Sequence, residues 1–176
     1  MKKLLVFLFV MLTFTGAAFA WKTPRWGYFP LNVYIEDHPK KAIVEKALNT
    51  WQTKSGEVVT FKLKDAKLSS SLHVKFSDAN PKIQKKDFAH AVGLATTQSP
   101  LGFYSKADLT IFLKSPIDGR MLNDAELYEI SLHEVGHALG LGHSDNPADI
   151  MYPTTHGQTF LSENDLNNLK QIYLPD

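Results

Sequence analysis

The sequence predicts an α+β domain in which a mixed β-sheet is backed by helices, and three observations carry that prediction. Short stretches with apolar residues at every second position recur along the first two thirds of the chain, the pattern of half-buried strands. Helical periodicity interrupts them after the first and takes over again near residue 123, so strand, helix and four strands precede two further helices. Length is the third: once residues 1–20 are set aside as a leader, 156 remain of the 176, enough for one domain with a core of its own.

That leader is read from Lys2 and Lys3, the apolar run Leu4 to Phe14 and the small-residue signature Ala18-Phe19-Ala20, the parts of a secretory signal peptide. The expected division is therefore a signal peptide over 1–20 and a domain over 21–176, with the product secreted, extracellular or periplasmic. The apolar run is short for a membrane span and no second one follows. Without Lys2 and Lys3, 17 of the 19 basic residues face 18 acidic ones, a balance that favours neither nucleic acid nor an anionic membrane. No cysteine is present, which removes disulfides and thiolate ligands and leaves core packing and bound metal to supply stability.

Leu31, Val33 and Ile35 mark the first strand. A helix follows, with Asp37 as its expected cap, Pro39 in its first turn, an apolar stripe of Ile43, Ala47, Leu48 and Trp51, and Gly56 as its stop. Val59, Phe61 and Leu63 make the second strand and Leu72, Val74 and Phe76 the third; Ser77 to Lys86 reads as a surface loop. Ala91 to Thr97 is the fourth, with Gly93 suited to an edge approached by another backbone, and Leu109, Ile111 and Leu113 mark the fifth. Asn123 with Glu126 forms the capping box of the next helix, and Ser162 with Asp165 that of the last, whose Leu166, Leu169 and Tyr173 face inward.

The helix opened by Asn123 leads into LHEVGHALGLGHS, Leu132 to Ser144. His133 and His137 are one turn apart, so both imidazoles leave the same face. Gly140 can take a left-handed conformation, end the helix and return His143 to the same point. Three nitrogen ligands leave a zinc ion one open position, the mark of a catalytic site. A lone histidine on a helix is more often a packing residue, but three histidines, a glutamate and a turn glycine at these spacings form a much rarer pattern. Zinc held there lowers the pKa of bound water, Glu134 is placed to take and return the proton, and amide hydrolysis is the reaction such parts suit.

HEVGHALGLGHS resembles the extended zinc signature of the metzincin endopeptidases, and Ser144 after the third histidine is similar to the matrixin, or matrix metalloproteinase, branch. Ile150-Met151-Tyr152-Pro153 resembles the matrixin Met-turn. Pro24-Arg25-Trp26 resembles the start of a matrixin catalytic domain, Leu94-Ala95 its substrate-binding edge strand, and Phe160 to Leu174 its final helix. The resemblance implies a zincin-like fold with a twisted five-stranded mixed sheet, three helices and a Met-turn. It further implies a zinc metalloendopeptidase taking an extended protein or peptide substrate along Leu94 and Ala95, with a pocket wall from Pro153 to Phe160 that includes Thr155.

The chain also departs from that pattern. Thr155 stands where animal members often carry tyrosine, and no tyrosine lies where other metzincin branches supply a zinc ligand. The aspartate-rich segment that holds structural calcium and a second zinc in animal matrixins has no recognisable counterpart, so one catalytic zinc is expected and no motif supports calcium. His73 and His90 are expected to be ordinary strand or surface histidines. With no cysteine to occupy the zinc, the chain is expected to have no zymogen and to be active once exported, folded and metallated; a monomer is expected as well. The alternatives are a zinc hydrolase of cell-wall peptides and a noncatalytic secreted binding module stabilised by zinc.

Overall fold

The structure, a computed structural model, describes residues 24–78, 93–99 and 102–174; the leader, His90 and most of the expected loop after Ser77 lie outside them. Alternation shapes the first strand: Leu31, Val33 and Ile35 of β1 (Leu31–Ile35) face the core while Asn32 and Tyr34 are half-buried. β2 (Phe61–Leu63), β3 (Leu72–Ser77), β4 (Gly93–Gln98) and β5 (Lys106–Phe112) join it in a five-stranded sheet of order β2-β1-β3-β5-β4. The first three pairings across it are parallel, and β4 runs antiparallel to β5 at one edge. The α+β class and the mixed sheet with three helices are as expected.

β5 departs from simple alternation, because consecutive residues from Leu109 to Leu113 are all buried. Strands with other strands on both sides and cover on both faces read as continuous apolar runs. At the opposite edge Leu63 remains 49% exposed, and Val59, just before β2, is the fully buried member of that pattern.

α1 (Lys41–Lys54) buries Val44, Ala47, Leu48 and Trp51, so Val44 holds the core position expected of Ile43, which is only partly buried. Asp37 does not cap it. A turn closed by the Lys41 N–H on the His38 carbonyl at 2.9 Å separates Asp37 from the helix start, and the Lys40 N–H donates to His38 Nδ1 at 3.1 Å. Trp51 joins this helix to the next, donating from Nε1 to the Leu132 carbonyl at 2.9 Å within the core.

The other helices are α2 (Asp124–Ala138) and α3 (Glu163–Tyr173). Both capping boxes form as the sequence predicts. The segment around Trp26 and the end of α3 meet at the C-terminal end of α2. Trp26 Nε1 donates to the Ala138 carbonyl at 2.8 Å, the Tyr173 hydroxyl to the Leu139 carbonyl at 2.7 Å, and Arg25 to the Ile172 carbonyl at 2.7 Å. No described helix is long and apolar enough to cross a membrane.

Candidate active site

α2 is buried on nearly every side, with Tyr128, Leu132 and Val135 in the core and Gly136 against the chain on another face. A Cβ on Gly136 would overlap Met151 Sδ and come within 3.1 Å of Trp51, so glycine is what admits the methionine beneath the helix. The helix ends in a Schellman motif: Gly140 donates to the His137 carbonyl and Leu141 to the Gly136 carbonyl, both at 3.0 Å. Gly140 takes φ +97°, as the sequence requires for the turn toward His143.

His133, His137 and His143 converge there, with one ring nitrogen of each lying within 4.8 Å of the others. His133 Nδ1 lies 2.7 Å from the Ile150 carbonyl and His137 Nδ1 2.8 Å from the Leu141 carbonyl. A carbonyl only accepts, so each Nδ1 carries the proton and each Nε2 keeps a free lone pair, the state a metal ligand needs. His137 Nε2 and His143 Nε2 are 3.2 Å apart. Burial, reinforced by His137, pushes the His133 imidazole down to about 4; burial also lowers His137. Three imidazoles whose ring nitrogens converge, two of them held with Nε2 free of a proton, fit one metal ion.

Glu134 stands beside them, 6% exposed, its Oε2 without a hydrogen-bond partner among the described residues. Burial pushes its carboxyl up to about 8. β4 presses on it from the edge of the sheet: a Cβ on Gly93 would collide with Oε1 and lie 2.5 Å from Cγ. The sequence expects another backbone to approach this glycine; the neighbour found there is the Glu134 side chain instead.

A family model described as matrixin matches residues 21–174. The chain belongs to the matrixin family. Within that family it is similar to the macrophage metalloelastase of Rattus norvegicus, 47% identical over 51 residues that make up 27% of this chain and 11% of the relative. A putative matrix metalloproteinase of Trichoplusia ni ascovirus 2c is 53% identical over 47 residues, 27% of this chain and 9% of that protein. Rat matrilysin is 42% identical over 48 residues, 25% of this chain and 18% of its own length. The matched stretches thus span less than a fifth of these relatives.

Around the matrixin histidines the structure places the other expected residues. Met151 is 2% exposed beneath Gly136, Ala95 lies on the edge strand β4, Leu94 pairs in register with Thr110, and Pro153 and Thr155 are exposed on the segment that follows Met151. His73 sits apart on β3, 3.2 Å from Asp108 and facing the carbonyls of Lys67 and Ser70.

Three buried carboxylates carry roles that sequence reasoning missed. Asp165 caps α3 and also accepts from the Ile150 and Met151 N–H groups at 2.9 and 3.3 Å, fixing the turn under the histidines. Asp149 accepts from Ser144, Ser162 and Asn164 at 2.5–2.6 Å. Burial alone would raise its carboxyl, but those three donors outweigh it and hold it below the usual range. Glu129, 4% exposed and one turn before His133, accepts from the backbone N–H groups of His156, Gly157 and Gln158 at 2.8–3.1 Å. An acidic residue in the apolar run LYEISL is the one local signal that could have marked it.

Proposed function

We propose that this matrixin domain is a zinc-dependent endopeptidase, with His133, His137 and His143 holding one zinc ion and Glu134 acting as general base and acid. The carrying observation is the buried Glu134 carboxyl group, its Oε2 without a partner among the described residues, beside three imidazoles whose ring nitrogens converge. A purely structural metal site has no use for such a group. Bound there, zinc would polarise the substrate carbonyl and acidify the attacking water.

Glu134 takes the proton of that water and delivers it to the leaving amine. A carboxyl raised toward neutrality suits both transfers better than a fully exposed one. The β4 edge offers backbone groups for an extended peptide, with Leu94 and Ala95 as its pairing residues, and Gly93 lets the strand lie close to Glu134. Pro153 and Thr155, exposed on the segment after Met151, would meet the substrate from that segment, and Met151 packs against Gly136 of the helix that carries the histidines. The signal-like residues 1–20 support export from the cell, to the periplasm or beyond.

The test is the zinc-loaded chain from Trp21 onward, incubated with casein, gelatin and peptidoglycan. Cleavage of the unfolded proteins is expected. Glu134→Gln should lower kcat by on the order of a hundred- to ten-thousand-fold while zinc content stays stoichiometric. Undiminished turnover in that variant would remove Glu134 from the mechanism, and solubilised peptidoglycan with intact protein would move the substrate class to cell-wall peptides.

A further inference from the structure

We propose that Glu129 is a positioning residue: by clamping the backbone of residues 156–158 it fixes the wall of the cleft beside the histidines and so sets which substrate side chain is accepted next to the scissile bond. The inference rests on the endopeptidase reading above and deepens it.

The geometry begins on α2. Glu129 and His133 are four residues apart, so their side chains leave the same face, one turn above the other. The backbone after the histidine turn is tied to both turns in succession. His133 donates from Nδ1 to the Ile150 carbonyl at 2.7 Å, and Glu129 then receives the N–H groups of His156 and Gln158 on Oε1 at 2.8 and 3.1 Å. The Gly157 N–H lies 3.1 Å from both carboxylate oxygens. Gln158 closes the base, its Nε2 donating to the Ala148 carbonyl at 2.6 Å.

Residues 152–157 are therefore an excursion pinned at both ends to the helix that carries the histidines. β4 touches that helix at Glu134 from the sheet side, and the excursion leaves it at Ile150, bonded to His133, so a peptide lying along the edge strand toward the histidines would approach the start of the excursion. Its side chains next to the reacting carbonyl would meet the pinned backbone.

Successive backbone N–H groups that converge on one anion form a nest, which needs a left-handed residue among them. Gly157 provides it at φ +90°. Here the anion is the protein's own carboxylate, buried on a helix whose neighbouring side chains are apolar. No lysine or arginine pairs with Glu129 among the described residues, and His156 Nδ1, 3.8 Å away, is engaged with the Thr154 carbonyl at 2.9 Å. The carboxylate's bonding is thus spent on the loop backbone. Pro153 to Gly157 are exposed and bury little that could hold the loop otherwise.

The experiment uses the zinc-loaded chain with Glu129→Gln and Glu129→Ala. The amide variant keeps the shape but turns one acceptor into a donor facing the Gly157 N–H. Two readouts are taken: amide hydrogen exchange, and kcat/KM for peptides varied one position at a time around the cleavage site. Exchange at 156–158 should accelerate roughly tenfold or more with the α2 amides near His137 unchanged. Discrimination at one position flanking the scissile bond should flatten by at least about fivefold, with more remote positions unaffected. Unaltered exchange in both variants overturns the clamp. A uniform fall in kcat/KM across all peptides, or lost zinc, overturns the specificity role and makes Glu129 a fold or metal-site residue. If the parent chain cleaves no peptide, the endopeptidase reading and the specificity role fall together, and exchange alone still decides the clamp.

Discussion

At Glu134 a carboxyl is held where its charge is costly, and the cost depends on pH. Folding raises its pKa from 4.5 to about 8, so between those values the metal-free folded chain binds a proton that the unfolded chain releases. Stability from this group is present below 4.5 and is lost as pH rises through 8. Metal-free wild type compared with Glu134→Gln should therefore lose, relative to the variant, on the order of 2–4 kcal/mol between pH 4.5 and 8, measured by urea unfolding at several pH values. A pH-independent difference would mean that the carboxyl stays ionised in the fold. Gly93→Ala tests the same group from the strand side: the added methyl must displace the carboxylate, and kcat should fall on the order of ten- to a hundredfold with zinc content intact. The histidines and Glu134 were legible because one helical turn and one glycine turn connect them, all within eleven residues. The partner of Gly93 and the role of Glu129 were not, since each acts on a residue far along the chain, and spacing carries no information about such pairs.

Elements behave similarly. The capping boxes of α2 and α3 were readable because a cap is a bond to residues two or three positions on, whereas the expected cap of α1 failed when a turn intervened between Asp37 and the helix start. Strand alternation located four of the five strands, yet Leu63 faces solvent, because alternation says which residues share a face and not whether anything covers it. The first turn of α3 does more than begin a helix: Asp165 receives Ser162, Ile150 and Met151 N–H groups together. Asp165→Asn replaces an acceptor oxygen with a donor opposite buried N–H groups, and should destabilise the fold by about 2–4 kcal/mol in denaturant titrations. It should also weaken zinc retention, because the Ile150 carbonyl that orients His133 belongs to the same turn.

For the molecule as a whole, a chain without cysteine has no covalent cross-link to hold the histidine turn in place. A ligand that binds only the folded state adds its binding energy to folding, about 4 kcal/mol at a thousand times its Kd. Chelation from that condition should lower the melting temperature by roughly 8–16 °C in calorimetry, and readdition of zinc should restore it. An unchanged melting temperature would mean that the three imidazoles bind no metal appreciably. The seal on the far end of α2 has a consequence of another kind, one of timing. The carbonyls of Ala138 and Leu139 are satisfied by Trp26 and Tyr173, and Arg25 holds the Ile172 carbonyl across 147 positions. A contact that spans nearly the whole domain forms late, because its loop-closure entropy is recovered only after the intervening sheet has folded. A partly synthesised chain can wind α2 early, but the turn that brings the third histidine home waits for both flanks to arrive.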